Sequence, residues 1–461
     1  MRALAAAALV ATLAGCAGYQ GDVRHVRQAL LAGDGQRALA AANEALGVKR
    51  PDDLPRRIGG DKALLLLERG TIKQGLGRWQ AAAADFLVAD RHLELLDLRR
   101  DAAGNIGRWL FSDDATVYKA PPHEKLLLST LGMLNYLAAG DLEAARVEAR
   151  RLRIMRTHLA DAVSPEESRT NLGAYLSAFV WEMSGRHEQA LREYDDLLSQ
   201  GGRHPSVVES VRRLAACSDW RGGHVAALLG EPDPAAPPPA CQSPPRDRGT
   251  VLVVAQVGLA PYKVATRIPI GAALVLAGYV MYGPGLGAAN EARAREFAAK
   301  GLLKWVNFPK LERSPPAFRQ VRVRIDDRPA GTELGENVGL LVADAWDRLK
   351  GTVMVAAITR MIVRAAAGEA THQAARSGGA AGGLALLAGL AVEGAMTAAD
   401  TPDTRSWVTL PSHVVLSRAE VRPGRRLVAV EFEGAAGRER RDFDVHVPPG
   451  GFAVVVAATM R

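Results

Sequence analysis

The chain has 461 residues, 58 Lys and Arg against 50 Asp and Glu for a formal net charge of +8, 48% hydrophobic residues and three cysteines. This composition excludes a disordered polyelectrolyte and a cysteine-stapled miniprotein, and the length allows about three domains. The positive excess is interspersed with acids and no nucleic-acid motif is present, so the charge fits anionic lipid headgroups or other acidic polymers better than nucleic acid.

The first segment, Met1 to Thr12, carries one cation, Arg2, and then only Ala, Leu and Val before Leu13-Ala14-Gly15-Cys16. A basic start, a short apolar core and small residues at the exit read as a secretory signal, too short to span a bilayer. The LAGC tetrad resembles a bacterial lipobox. That resemblance implies that residues 1–15 are removed and that Cys16 carries the acyl chains, several of which together give stable anchoring. Ala17 follows the cysteine instead of the Asp that retains many lipoproteins at the inner membrane, which favours the periplasmic face of the outer membrane. With Cys16 assigned to lipid, Cys217 and Cys241 are left either to pair in an oxidising compartment or to stay as buried thiols.

From Val23 to about Gly230 the apolar residues recur at helical period, with no strand-like alternation. Gly70, Gly77, Trp79, Ala82, Phe86 and Ala89 fall at the spacings of a tetratricopeptide (TPR) unit, in which small residues let two antiparallel helices approach and aromatics fill the gaps beside them. Related turns stand at Gly33-Asp34, Gly140-Asp141 and Gly185-Arg186. The four turns are 44, 63 and 45 residues apart, against about 34 in a regular array, so extra helices or loops intervene. One such interruption, Gly104 to Pro122, is rich in aromatics and turn formers.

Glu231 to Arg248 holds seven prolines in eighteen residues; lacking those amide donors it reads as a semi-rigid linker. Beyond it the pattern changes. Gly249 to Val257 is a continuous β-branched run of the buried-strand type, and Phe318 to Asp326 alternates as a half-buried strand does. Trp407 to Leu416, Leu427 to Phe432 and Phe452 to Ala457 are further strands, with helices over Asn337 to Lys350 and Thr352 to His372. The fold class predicted is α+β overall: a TPR-like all-α repeat over 16–230, a linker over 231–248, and a mixed α/β domain over 249–461 that ends in an antiparallel, sandwich-like layer.

Two apolar stretches, Ile268 to Ala289 and Gly378 to Ala399, lack Lys and Arg, and the second carries Gly378/Gly382 and Gly379/Gly383 at close-helix spacing. Pro269 and Pro284 in the first, and Glu393 with many Ala and Gly in the second, favour packing within the domain over membrane insertion.

Motifs for chemistry are sparse. Gly283 to Asn290 (GPGLGAAN) resembles a phosphate-cradling loop but lacks the lysine or third glycine that would define it. The histidines show no metal-ligand spacing, no Gly-x-Ser-x-Gly elbow occurs, and the neighbouring pairs Asp195/Asp196 and Asp326/Asp327 read as solvated acids. No cofactor, metal or catalytic residue is expected. Trp79, Trp109, Phe111, Tyr136 and Trp181 are the candidates for a partner groove along the helices. Asp403, Arg405 and Trp407, in a polar stretch leading into a strand, are candidates for an interface.

The lipobox, the Gly77-x-Trp79-x-x-Ala82 turn, Tyr136 to Arg151 (YLAAGDLEAARVEARR), Val257 to Ile270 (VGLAPYKVATRIPI) and Asp403 to Pro411 (DTRSWVTLP), in that order, resemble a poorly characterised family of proteobacterial lipoproteins. The resemblance covers nearly the whole mature chain, implies a TPR-like front half and an α/β rear half, and brings no catalytic residues with it. The functional expectation is a membrane-anchored periplasmic scaffold that binds an envelope protein partner through its helical repeats, with the rear half serving a second contact or self-assembly. The alternative is an oligomeric envelope assembly or export component whose glycine-rich segments insert.

Overall fold

The computed structural model describes residues 15–95, 118–230, 241, 247–278, 288–299, 305–376 and 402–461. Trp109, Phe111, the Gly378 to Ala399 stretch and most of the proline-rich run lie outside them.

The front half is a layer of helices: α1 (Gly15–Leu31), α2 (Gly35–Leu46), α3 (Lys62–Gly75), α4 (Trp79–His92), α5 (Pro122–Ala138), α6 (Leu142–Ala162), α7 (Asn171–Met183), α8 (His187–Ser199), α9 (Pro205–Ala215) and α10 (Gly223–Leu229). Consecutive helices pack as pairs across the tight turns read from the sequence. Asp34 and Asp141 explain why these turns restart a helix: each accepts a hydrogen bond from the backbone amide three residues on, Arg37 and Ala144, as an N-cap should. Gly70 shows why a small residue is needed between paired helices. A Cβ there would lie 2.4 Å from the Phe86 ring.

The rear half supplies strands of three to eleven residues to two stacked sheets. The inner sheet has the order β12 (Phe452–Thr459), β3 (Gly249–Val257), β9 (His413–Val421), β8 (Glu333–Glu336); the outer has β11 (Gly437–Val447), β10 (Gly424–Gly434), β6 (Gln320–Ile325), β7 (Arg328–Ala330). Leu252, Val254, Leu416 and Val456 of the inner sheet join Leu66, Leu131 and Phe179 of the helices in one apolar core. Val251, Val253, Ala255 and Val455 point the other way and meet Val323, Val430 and Phe432 of the outer sheet. A strand covered on both faces is buried along its whole length: every residue of β3 is buried, and its Gln256 donates to Gln74 of α3. The outer sheet is covered on one face only, and β6 alternates exposed and buried.

Three readings of the sequence are changed here. The strand expected over Trp407 to Leu416 begins only at His413; before it the Trp407, Val408 and Thr409 amides donate to the Glu124 and Glu68 carboxylates on helices instead of to a strand. The two helices expected over 337–372 are one, α13 (Val338–Arg376). Gly351 costs about 1 kcal/mol in a helix interior, but Val338 on one side and Met354, Val355 and Ile358 on the other are anchored in separate cores that hold the helix through it. The late strands are antiparallel except β12, which pairs parallel with β3.

A third core lies apart from these. Strands β4 (Tyr262–Pro269) and β5 (Trp305–Glu312) pair antiparallel, and the helices α11 (Ile270–Gly278) and α12 (Ala288–Ala299) that follow β4 pack with β5 on the second part of α13 through Ile270, Ala273, Ala294, Val306 and Ile358. The remaining short strands, β1 (Glu94–Leu95) and β2 (Lys119–Ala120), pair with each other. Asp326 and Asp327, the acid pair, form the two-residue turn between β6 and β7, both at positive φ, which Asp tolerates better than most residues.

Candidate functional site

A dense constellation of buried polar groups lies where the segment Asp403 to Leu410 runs between α1, α3 and the start of α5. Helix α3 reads Ala-Leu-Leu-Leu-Leu-Glu-Arg-Gly-Thr from Ala63 to Thr71 and is buried on all sides, so Glu68 is carried into the interior. Its carboxylate accepts from the Val408 amide (2.9 Å) and the Thr409 amide (2.9 Å). The Tyr19 hydroxyl of α1 lies 2.6 Å from Glu68 Oε1 and from the Ser406 carbonyl, sharing its one proton between them. A second carboxylate repeats the device. Glu124, in the first turn of α5, accepts from the Trp407 amide (3.0 Å) and from the Tyr118 hydroxyl (2.6 Å). Two glutamates therefore do for this segment what a neighbouring strand would do for a ladder, satisfying buried amides that would otherwise be orphaned.

Side chains of the segment complete the seam. The Trp407 ring is 1% exposed, meets Phe86 edge-on at 5.6 Å, and donates from Nε1 to the Thr71 hydroxyl. Arg405 donates to both Asp403 oxygens and to Asp61 at 3.1 Å. Arg27 of α1 donates to the Val408 carbonyl, and its guanidinium stacks 3.7 Å above the Tyr262 ring.

The electrostatics follow from burial. Desolvation pushes the Glu68 carboxyl up to about 7, with the hydrogen bonds from Tyr19, Thr409 and Val408 opposing it. Burial also raises Glu124, against the pull of Tyr118 and the Trp407 amide. Burial acts upward on Asp403 too, but the Arg405 hydrogen bonds and the Lys263 charge outweigh it and hold Asp403 below the usual range. His123, beside Glu124 in sequence, is lowered to about 3 by burial and by the positive charges of Lys263 and Arg348, so its ring is neutral.

A second seam lies across the central sheet. Glu182 of α7 receives the Arg418 guanidinium of β9 at 2.5 and 3.0 Å, the Tyr194 hydroxyl at 2.6 Å, and Arg213 of α9. Nearby, Glu336 of β8 accepts from the Asn171 (2.8 Å) and Leu172 (3.3 Å) amides, so a rear-half carboxylate sits on the positive end of a front-half helix.

What these groups can do chemically is limited by what they already do. The carboxylates of both seams accept from donors within the chain, and the Trp407 ring fills the space between helices. The seam is a closed joint. A cleft of about 290 Å³ lies at the far end of α1, lined by Leu30, Ile72, Leu76, Met460 and Arg461, and its one acid, Glu439, is paired with Arg441 and Arg461. Among the described residues, His187, Cys217 and Cys241 come close enough to hold a metal ion. The two cysteines are joined to each other as a disulfide, so no thiolates are offered.

Of the residues singled out in the sequence, Asp403, Arg405 and Trp407 meet in the first seam, where they form an interface inside the molecule. Trp181 is buried in the main core, and Trp79 and Tyr136 are half-buried against it on different helices, so these three do not line a shared groove. Cys16 stands in the first turn of α1. Glu68, Glu124, Glu182, Tyr19 and Arg418 were not anticipated. The available signal was a lone acid at or within an apolar run, as in LLLLE ending at Glu68 and AFVWEM around Glu182.

The pH dependence of stability has a defined sign at Glu68. Its folded-state value of about 7 lies above the ordinary 4.5, so its contribution to stability is complete below pH 4.5 and is lost as the pH rises through 7. The stability of the native chain relative to Glu68→Gln, from urea unfolding, is expected to fall by about 3 kcal/mol between pH 4 and pH 8. A pH-independent difference would show that the amide donors keep Glu68 ionised throughout.

No family model, no curated protein and no solved structure matches this chain.

Proposed function

We propose that this protein is a lipid-anchored scaffold on the periplasmic face of the outer membrane, whose front half is a TPR-like array that binds an envelope protein partner without catalysing a reaction. The helix pairs and the Gly-Asp turns support the repeat reading, and the lipobox-like LAGC supports the anchor. The rear half fills the inner face of the helical layer, which turns the reading toward the outer face. The observation that carries it is on α6. Val147 is 44% exposed and Ile154, two turns further along the same side, is 70% exposed, with the basic Arg150 and Arg151 exposed between them. An apolar pair flanked by arginines suits an amphipathic or acidic helix of a partner.

The test is photo-crosslinking in the envelope from a reactive residue placed at position 154. A discrete adduct with an envelope protein is expected, and Ile154→Asp should lower capture of that protein at least tenfold with an unchanged melting temperature, since the site is exposed. Adducts forming from other surface positions but never from 154 would remove α6 as the contact.

A further inference from the structure

We infer that the arm formed by β4, β5, α11 and α12 lies against the surface of the phospholipid bilayer. The inference rests on the anchored reading of Cys16 for its geometry, and on the arm's own chemistry for its polarity.

The geometry starts three residues from the proposed acylated cysteine. Tyr19 is already 1% exposed and tied to Glu68, so about 5 Å of helix separates the anchor from the packed body. No loose tether intervenes. The next residue, Gln20, donates to the Lys263 carbonyl at 3.4 Å and to the Thr404 carbonyl at 3.0 Å. Lys263 is the second residue of β4, so the amino end of α1 and the foot of the arm are in contact. From Lys263 the strand runs six residues to Pro269, about 20 Å at the usual strand rise. A body seated within one or two turns of helix from its acyl chains keeps a projection of that length within reach of the membrane, where it settles unless its surface repels lipid.

The surface does the opposite. No acid or base occurs from Ile268 to Gly278, over the end of β4 and the whole of α11. On α11 the inward Ile270 and Ala273 pack in the arm's own core, while Val275 is 57% exposed and Ala272 is exposed beside it. Trp305, opposite Pro269 in the β4 and β5 register, is 54% exposed. An indole has an apolar body and a polar N–H and is favoured at the boundary between headgroups and acyl chains. Arg267, two residues before Pro269 and so on the same face of the two strands as Trp305, is exposed, where a cation meets anionic headgroups. Among the described residues no helix is long and apolar enough to cross a membrane, and α11 has nine residues, so the contact is interfacial and does not span.

The experiment uses the acylated full chain in phosphatidylethanolamine and phosphatidylglycerol vesicles that contain brominated lipid. Tryptophan fluorescence should be quenched, and Trp305→Phe should reduce the quenched component at least twofold. In parallel the full mature chain carrying Cys16→Ser should float with unbrominated vesicles, and adding Val275→Asp, at an exposed position that leaves melting unchanged, should lower the bound fraction about tenfold. Quenching that is absent, or equal in Trp305→Phe, overturns the inference. Palmitate labelling separates it from the anchor. Label on Cys16 without Trp305 quenching keeps the anchor and sinks the arm contact; no label, with flotation sensitive to Val275→Asp, sinks the anchor and keeps the arm contact.

Discussion

Replacing Trp407 by Ala is expected to cost about 4 kcal/mol of folding stability, measured by urea unfolding at pH 7. Its ring is among the largest fully buried side chains of the protein and touches Phe86 edge-on. The space it vacates is walled by helix α3 and by Phe86, which itself occupies the notch left by Gly70. Packed helices close such a cavity only partly, so both the transfer and the cavity contributions are lost. Trp407→Phe separates the hydrogen bond from the packing: it keeps most of the ring and removes the N–H that reaches Thr71 at 3.0 Å. A loss of about 1 to 2 kcal/mol is expected for it. Equal small losses in both variants would mean that the segment Asp403 to Leu410 is held by the glutamates alone and that its tryptophan is incidental.

That segment also shows where reading the sequence stops. Periodicity located the helices of the front half because each buries one stripe against its neighbour, and it located β3 and β6 because burial on two faces or on one writes a continuous or an alternating pattern. Capping aspartates and turn glycines marked the joints between helices. The seams could not be read in the same way. Val408 finds its acceptor 340 positions away on Glu68, and Arg418 finds Glu182 at a separation of 236. Nothing local encodes such pairings, since a buried N–H can donate to any carboxylate that the fold delivers. Trp407 to Leu416 looked like a strand because its residues are apolar and β-branched, a pattern that reports burial and leaves open whether the amides pair with a strand or with side chains. The third core was hidden for another reason: α11 and α12 carry small residues, which signal close packing without naming what they pack on. The exposed pair on α6 was overlooked because the helix pattern, with its arginines, reads as an ordinary solvated face.

The two seams together make the helices and the sheets one body, and the second gives the other large effect. Arg418→Met is expected to lower stability by about 4 kcal/mol at pH 7, because it leaves the buried Glu182 carboxylate with only Arg213, Tyr194 and Ser210. In the native protein burial pushes Glu182 upward, but the Arg418 charge and hydrogen bonds, helped by Arg213 and Tyr194, bring it down to about 2. A depressed carboxylate contributes stability that is complete above its unfolded value near 4.5 and is lost as the pH falls through about 2. Lowering the pH from 7 to 3 therefore removes about 2 kcal/mol of this contribution from the native chain. In Arg418→Met the carboxylate takes up a proton readily and has little of that contribution to lose. The gap between native and variant should accordingly narrow by about 2 kcal/mol over that range, while the corresponding gap for Trp407→Ala, which involves no charge, stays constant. A gap for Arg418→Met that is equally constant would show that the arginine acts by filling space against Phe179, whose ring lies 5.1 Å from its guanidinium, and not by holding the charge of Glu182.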